Sequence, residues 1–100
     1  MTESNQLRGR SAIITGSTSG IGLGIAKGLA QAGANVVING LGSADDNEAV
    51  RAEVASAGTN VIFNGANMMQ SDAIGQMIEE TRSTLGAVDI LVNNVGIQHV

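Results

Sequence analysis

The sequence predicts an α/β fold in which a parallel β-sheet is built from strands that alternate with helices. Four short apolar runs, rich in β-branched residues, occur at residues 11–14, 36–38, 61–63 and 88–92. Continuous runs of this kind are typical of strands that are buried on both faces. The segments between them have helical spacing, and strands that alternate with helices are joined by right-handed crossovers. The pattern by itself does not fix the order of the strands in the sheet.

The first strand runs directly into the segment TGSTSGIG, residues 15–22. Its spacing, G-x-x-x-G-x-G, is related to the dinucleotide fingerprint G-x-G-x-x-G without matching it. We assign Gly16 to a tight turn, Gly20 to close approach of a pyrophosphate, and Gly22 to helix packing. The N-terminus of the following helix favours an anion, and three hydroxyl residues at positions 17–19 add donors. A turn that only redirects the chain, or another nucleotide site such as that of a methyltransferase, stays open; a P-loop is excluded because no Gly-Lys-Ser/Thr follows.

Three helices are predicted from apolar residues that recur at intervals of three or four. We expect Ser43, with Asp46 in a capping-box-like spacing, to begin the second helix, and Ser71 or Asp72 to cap the third. The apolar stripes are Ile21, Ile25, Leu29 and Ala32 in the first helix, Val50, Val54 and Ala57 in the second, and Ile74, Met77, Ile78, Thr81 and Leu85 in the third.

The second strand ends in Asn39, where a dinucleotide site usually carries an acid that holds the adenosine ribose. Asn39 can donate to a hydroxyl, and Leu41 either backs the adenine or is an ordinary loop residue. Residues 28–50 contain no Lys or Arg that would bind a 2′-phosphate, which favours NAD over NADP.

The third strand is followed by Asn67 and Met68, and the fourth by Asn93 and Asn94. At the carboxyl edge of the sheet, Asn67 could bond an adenine and Met68 could pack on it. A turn residue next to a core methionine is the alternative for that pair.

Composition excludes several classes of function. The net charge is −4 and the five Lys and Arg residues are scattered, which argues against a nucleic-acid partner. There is no cysteine, and therefore no disulfide or thiolate metal site; we expect no metal. The polar start MTESNQLRGR does not resemble a signal peptide, and no apolar run approaches the ~18 residues of a membrane span, so we expect a cytoplasmic protein.

Two motifs carry a family resemblance. TGSTSGIG after the first strand, together with Asn-Asn-Val-Gly at residues 93–96, is similar to the motifs of the short-chain dehydrogenase/reductases, and the resemblance covers residues 8–100. The segments GSTSGIGLGIA, GANVVINGLG and DILVNNVGIQHV resemble, more narrowly, the bacterial D-3-hydroxybutyrate dehydrogenase branch. The resemblance implies a Rossmann-type doubly wound sheet with strand order 3-2-1-4. It also implies NAD as cofactor, oxidation of D-3-hydroxybutyrate to acetoacetate, and a homo-oligomer, a tetramer, when complete.

The resemblance also implies roles for individual residues. Gln98 corresponds to a residue that binds the carboxylate of the substrate, whereas His99 receives no role. With Gly20 and Leu41 from the patterns above, the candidate cofactor-binding residues are Gly16, Ser17, Thr18, Gly20, Ile21, Gly22, Leu41, Asn67, Met68, Asn94, Val95 and Gly96.

The sequence departs from the family pattern at two positions and in one larger respect. Asn67 stands where Asp is usual, for which we expect weaker cofactor binding, and Val95 stands where Ala is usual, which could crowd the site. The family's Ser and Tyr-x-x-x-Lys catalytic set is missing, since the chain has no tyrosine to act as general base. We therefore expect residues 1–100 to be the NAD-binding part of a single Rossmann domain, with no catalytic residues in this chain. A non-catalytic nucleotide-binding or interaction fragment, and another reductase of the family acting on acyl-carrier thioesters, are the alternatives.

Overall fold

The computed structural model describes residues 6–94, which form a four-stranded parallel sheet with three helices. The strands are β1 (Ser11–Ile14), β2 (Asn35–Asn39), β3 (Val61–Asn64) and β4 (Ile90–Val92). The helices are α1 (Gly20–Gln31), α2 (Ala44–Ala55) and α3 (Ala73–Leu85). The strand order is β3-β2-β1-β4, so the expected order 3-2-1-4 and the α/β class are confirmed.

The two faces of the sheet are covered unequally because side chains alternate along each strand. On one face Ile14 and Ile38 pack with α1 and α2, and Val54 of α2 belongs to the same buried cluster. On the other face Ile13 and Val37 pack against Met77 of α3. The central strands β1 and β2 are almost entirely buried, whereas the edge strands β3 and β4 are largely half-exposed.

The predicted apolar stripe of α1 is wrong by one residue. The buried residues of this helix are Gly22, Ala26 and Ala30, and Ile21 lies exposed. Small residues face the sheet because they let the helix backbone approach it closely, while the bulkier Ile25 and its neighbours flank the contact.

The other two helices follow the prediction except at Ala57, which lies exposed beyond the end of α2 and is not part of its buried face. The Ser43 side chain accepts a hydrogen bond from the Asp46 amide at the start of α2, at 3.1 Å. Helix α3 buries Met77 and Thr81, and its N-cap is Asp72, whose side chain makes no capping hydrogen bond.

The fourth strand is shorter than predicted, since it begins at Ile90 rather than at residue 88. The reason is Asp89, whose carboxylate accepts the Ser11 amide at 3.0 Å, while its own amide donates to the Ser11 carbonyl at 2.9 Å. The Asp89 side chain thus accepts the Ser11 amide, which a backbone carbonyl would accept if β4 were longer.

Candidate functional site

A cleft of about 640 Å³ opens at the carboxyl edge of the sheet, where the segments that follow all four strands meet. In open parallel sheets this edge is the usual position of ligand sites. Its volume lies within the range of about 300–1,000 Å³ that is common for small-molecule and cofactor sites. The lining residues are Gly16, Thr18, Ser19, Gly20, Ile21, Asn39, Gly40, Leu41, Ala66, Asn67, Met68, Met69 and Asn94.

The glycine turn forms one wall of the cleft. Gly16 and Gly20 have φ angles of 60° and 61°, which side chains other than glycine rarely adopt. The first N–H groups of α1 have no partner within the helix, and the Ser19 side chain at the N-cap makes no hydrogen bond to them. These amides, together with the positive end of the helix dipole, can therefore hold an anion such as a pyrophosphate.

Gly22 is packed rather than exposed to the cleft. A β-carbon at this position would overlap the carbonyl oxygen of Gly16 and approach the Asn94 Nδ2 atom to 2.8 Å. The glycine thus allows α1 to begin directly against the turn, which agrees with the packing role assigned to it.

Ser17 does not line the cleft, contrary to its predicted role as a cofactor-binding hydroxyl. The residue is fully buried, and its hydroxyl donates to the Ile14 carbonyl at 2.7 Å. The same hydroxyl accepts the Asn39 amide at 2.9 Å, so Ser17 joins β1 to β2 beneath the cleft. Burial decides the difference, because a hydroxyl at the base of the turn finds backbone partners before it meets a ligand.

The end of β4 is tied to the glycine turn by amide side chains. Asn94 Nδ2 donates to the Gly16 carbonyl at 3.1 Å, and the Asn93 Oδ1 atom accepts the Thr15 hydroxyl at 3.1 Å. Asn94 therefore lies at the cleft as predicted. Val95, Gly96, Gln98 and His99 lie outside the described residues.

The segment after β2 forms the second wall. Gly40 packs directly against the Thr18 side chain, so that a β-carbon at position 40 would overlap the Thr18 hydroxyl oxygen. Leu41 is 72% exposed and faces the cleft, where it offers apolar surface. Asn39 is buried, and both hydrogens of its amide are donated to the carbonyls of Asn64 and Ala66, so the expectation that it donates to a ligand hydroxyl is wrong.

The loop after β3 forms the third wall. Asn67 accepts the Met69 amide at 2.9 Å, which closes a short turn and leaves its oxygen with one further lone pair. Met68 lines the cleft and also packs against the buried cluster on the α3 face. Its contact with an adenine stays a prediction. Met69 is 86% exposed at the rim, and the pattern of the sequence gave no signal that separated it from Met68.

Charge is distributed away from the cleft. None of the described lining residues is Lys or Arg. Four cations form ion pairs elsewhere: Lys27 with Glu53, Arg51 with Glu48, Arg10 with Asp89, and Arg82 with Glu79. The hydrogen bond from Arg51 lowers the pKa of Glu48. Among residues 6–94, no cluster of His, Asp or Glu is arranged to hold a metal ion, and no helix is long and apolar enough to cross a membrane.

The fold and the cleft define a nucleotide-binding α/β domain, with a glycine turn, a helix N-terminus and two further loops around one site. Comparison with known proteins gives the family: the model of the short chain dehydrogenase family matches residues 10–100. The chain belongs to this family of oxidoreductases, and the resemblance seen in its motifs is confirmed.

Individual relatives agree with this assignment. The chain is 52% identical over 96 residues to a D-beta-hydroxybutyrate dehydrogenase of Cupriavidus necator, covering 94% of the chain and 36% of that protein. It is 44% identical over 88 residues to the 3-oxoacyl-[acyl-carrier-protein] reductase FabG of Staphylococcus epidermidis, covering 88% of the chain and 36% of that protein.

A solved structure shares the same fold. The 3-oxoacyl (acyl-carrier-protein) reductase of Agrobacterium tumefaciens, determined with NADP bound, has a TM-score of 0.79 and 35% identity, over 94% of this chain and 36% of that one. The chain thus spans little more than a third of the length of these relatives.

Proposed function

We propose that the chain is the cofactor-binding half of an oxidoreductase that uses NAD to interconvert D-3-hydroxybutyrate and acetoacetate. The observation that carries the proposal is the cleft, in which the glycine turn, Leu41 and the loop of Asn67 and Met68 surround one volume. A β-carbon at position 22 would overlap the Gly16 carbonyl oxygen, and one at position 40 would overlap the Thr18 hydroxyl oxygen. Glycine at both positions allows the close packing of the cleft walls, which fits a cleft shaped around a bound nucleotide.

The residues of the chain fit the parts of a dinucleotide. The N–H groups at the start of α1 would hold the pyrophosphate, Leu41 and Met68 would contact the adenine, and Asn67 would accept from its amino group. When bound, the nicotinamide supplies a hydride acceptor for the alcohol. The chain holds and orients this group, and it contains no tyrosine that could take the hydroxyl proton.

The preference for NAD over NADP is proposed from charge. The segment after β2 would lie beside the adenosine ribose, and the first turn of α2 that follows it carries Asp45 and Asp46. A 2′-phosphate there would find no cation among the described lining residues, and the acidic first turn of α2 would disfavour its charge. Arg51, the first cation after β2 in the sequence, does not line the cleft: it is held by Glu48 through hydrogen bonds of 2.7 and 2.9 Å and also donates to the Val61 carbonyl at the start of β3.

D-3-hydroxybutyrate is proposed as the substrate from the 52% identity to the Cupriavidus necator dehydrogenase. Reduction of acyl-carrier thioesters with NADPH is the second candidate, since the Staphylococcus epidermidis reductase is 44% identical. Assembly as a homo-oligomer stays a prediction from the family resemblance.

The test measures turnover by the full-length protein with each combination of cofactor and substrate. We expect NADH formation from D-3-hydroxybutyrate with NAD, little turnover with NADP, and none with the L enantiomer as matched control. Preferred oxidation of NADPH by a 3-oxoacyl thioester would favour the second candidate. Binding of NAD in calorimetry without turnover of either substrate would leave a nucleotide-binding module, and no binding of NAD or NADP would refute the proposal.

A further inference from the structure

We propose that Asn39 is a positioning residue that sets the distance between the glycine turn and the β3 loop, two walls of the cofactor cleft. Asn39 is the last residue of β2, a strand that lies between β1 and β3, and it is only 2% exposed. The inference rests on the proposed dinucleotide site, because its functional consequence is the affinity of that site.

The side chain of Asn39 joins both walls at once. Its Oδ1 atom accepts the Gly16 amide at 3.2 Å, and its Nδ2 atom donates to the carbonyls of Asn64 at 2.9 Å and Ala66 at 3.0 Å. A primary amide is the side-chain group that offers one carbonyl acceptor and two N–H donors without charge. All three groups are used here: one on the glycine turn, one on the last residue of β3, and one on the loop that follows β3.

The backbone of Asn39 fixes the position from which this side chain reaches out. Its amide donates to the Ser17 hydroxyl at 2.9 Å, and its carbonyl accepts the Ser17 amide at 2.6 Å. Ser17 in turn is anchored on the Ile14 carbonyl at 2.7 Å. Because the main chain is held on β1, the amide has little freedom to rotate toward a ligand.

This assignment differs from the role usually given to the last residue of the second strand. An acid at that position commonly accepts from the ribose hydroxyls of the adenosine. An amide whose two N–H donors both bond to protein carbonyls affects cofactor binding instead through the shape of the cleft. The two roles predict opposite effects for an acid at position 39.

The decisive variant is Asn39→Asp in the full-length protein. A carboxylate would still accept the Gly16 amide, but it would face the carbonyls of Asn64 and Ala66 with no donor. We expect the Kd and KM for NAD to rise about tenfold or more at pH 8, with kcat at saturating NAD largely unchanged. If Asn39 served the ribose, the same change would tighten binding.

The pH profile separates the two roles further. Protonation of Asp at position 39 would restore one donor, so NAD binding by Asn39→Asp should improve as the pH falls, whereas a ribose acid would bind better as the pH rises. The described groups bonded to Asn39 carry no charge, and the network reaches one carboxylate, Glu80, through a 2.7 Å hydrogen bond from Asn64. Comparison with the NAD affinity of the wild type over the same pH range separates the effect of position 39 from any contribution of Glu80.

Asn35→Asp is the matched control, since it makes the same chemical change at the opposite end of β2. The Asn35 side chain accepts the Asn60 amide at 3.1 Å, a bond that a carboxylate keeps. Its affinity for NAD should equal that of the wild type. A tenfold loss in this control as well would assign the effect to charge on the strand and overturn the inference.

Amide exchange provides a readout that does not need the cofactor. In Asn39→Ser the Gly16 amide loses its acceptor, so its exchange should accelerate while amides in α2 stay protected. Unchanged Gly16 exchange, or wild-type NAD affinity in either Asn39 variant, would refute the positioning role, and Asn39→Ser decides the matter if Asn39→Asp does not fold. A wild type that binds no dinucleotide would instead refute the proposed function, and the exchange result would still stand by itself.

Discussion

Alanine at position 22 should destabilise the protein, although alanine is normally favoured over glycine within a helix. The Gly22 α-carbon faces the glycine turn, and an added β-carbon would overlap the Gly16 carbonyl oxygen. This neighbour is backbone in a turn whose φ angle is 60°, so it has little room to move. The Asn94 side chain, at 2.8 Å from the same point, would also have to shift.

The magnitude follows from two opposed effects. Overpacking of this kind costs about 1–3 kcal/mol, and contact with a rigid carbonyl places Gly22→Ala toward the upper end. Replacing glycine by alanine within a helix gains about 1 kcal/mol. The net expectation is a loss of roughly 1–2 kcal/mol in the free energy of unfolding.

Gly24→Ala is the matched control because it lies on the same helix with open space around the position of its β-carbon. Only the helix preference acts there, so we expect a gain of about 0.5–1 kcal/mol. Urea unfolding of both variants of the full-length protein measures the difference in the free energy of unfolding, provided that the dependence on urea concentration (the m-value) is unchanged. If Gly22→Ala were as stable as Gly24→Ala, the close approach of α1 to the turn would be refuted.

Three further predictions concern the walls of the cleft and the surface. Gly40→Ala should weaken NAD binding by several-fold because its β-carbon would meet the Thr18 side chain. Once Thr18 is also replaced by alanine, the change at position 40 should cost little further affinity, and a double-mutant cycle of NAD affinities measured by calorimetry tests this. Asn67→Asp should tighten NAD binding about fivefold, since a carboxylate accepts more strongly from the adenine amino group while keeping the Met69 amide; unchanged affinity would remove Asn67 from the adenine site. Glu48→Gln should lower the melting temperature slightly at neutral pH. The hydrogen bond from Arg51 lowers the pKa of Glu48, so its stabilisation is present above the unfolded pKa and disappears as the pH falls through the folded one; a difference that persisted in acid would contradict this origin.

Much of the fold could be predicted because its signals are local. The β-branched runs fix the strands, and Ser43 and its partner Asp46 mark the beginning of α2 in the sequence itself. The order of the strands came from the family resemblance. The stripe of α1 was misplaced because hydrophobicity ranks Ile21 above Gly22, whereas the helix is placed against the sheet by its smallest residues.

The candidate site could be predicted only in part, since burial decides which polar groups meet a ligand. Gly16, Leu41 and Asn67 lie at the cleft because their positions follow directly from the ends of strands. Ser17 and Asn39 carry a hydroxyl and an amide, groups that commonly bind ligands, yet both side chains bond to backbone carbonyls instead. Ile14 is close to Ser17 in the sequence, but Asn39 lies 22 residues from Ser17, and the carbonyls that Asn39 binds lie 25 and 27 residues further on. No pattern within a short window of sequence could reveal these distant partners.

The connections that hold the cleft together are mainly made by neutral side chains at the ends of strands. Asn39 joins β2 to the glycine turn and the β3 loop, Asn94 joins the end of β4 to the Gly16 carbonyl, and Asn64 accepts the Ala66 amide at 2.8 Å. An acid in place of Asn39 or Asn94 would bring negative charge toward the pyrophosphate that the helix N-terminus is suited to hold. Amides supply the donors that carbonyl oxygens require and leave the positive potential of the turn intact. The positions where other dinucleotide sites use an acid can therefore carry asparagine when the polar group serves the protein backbone rather than the ligand.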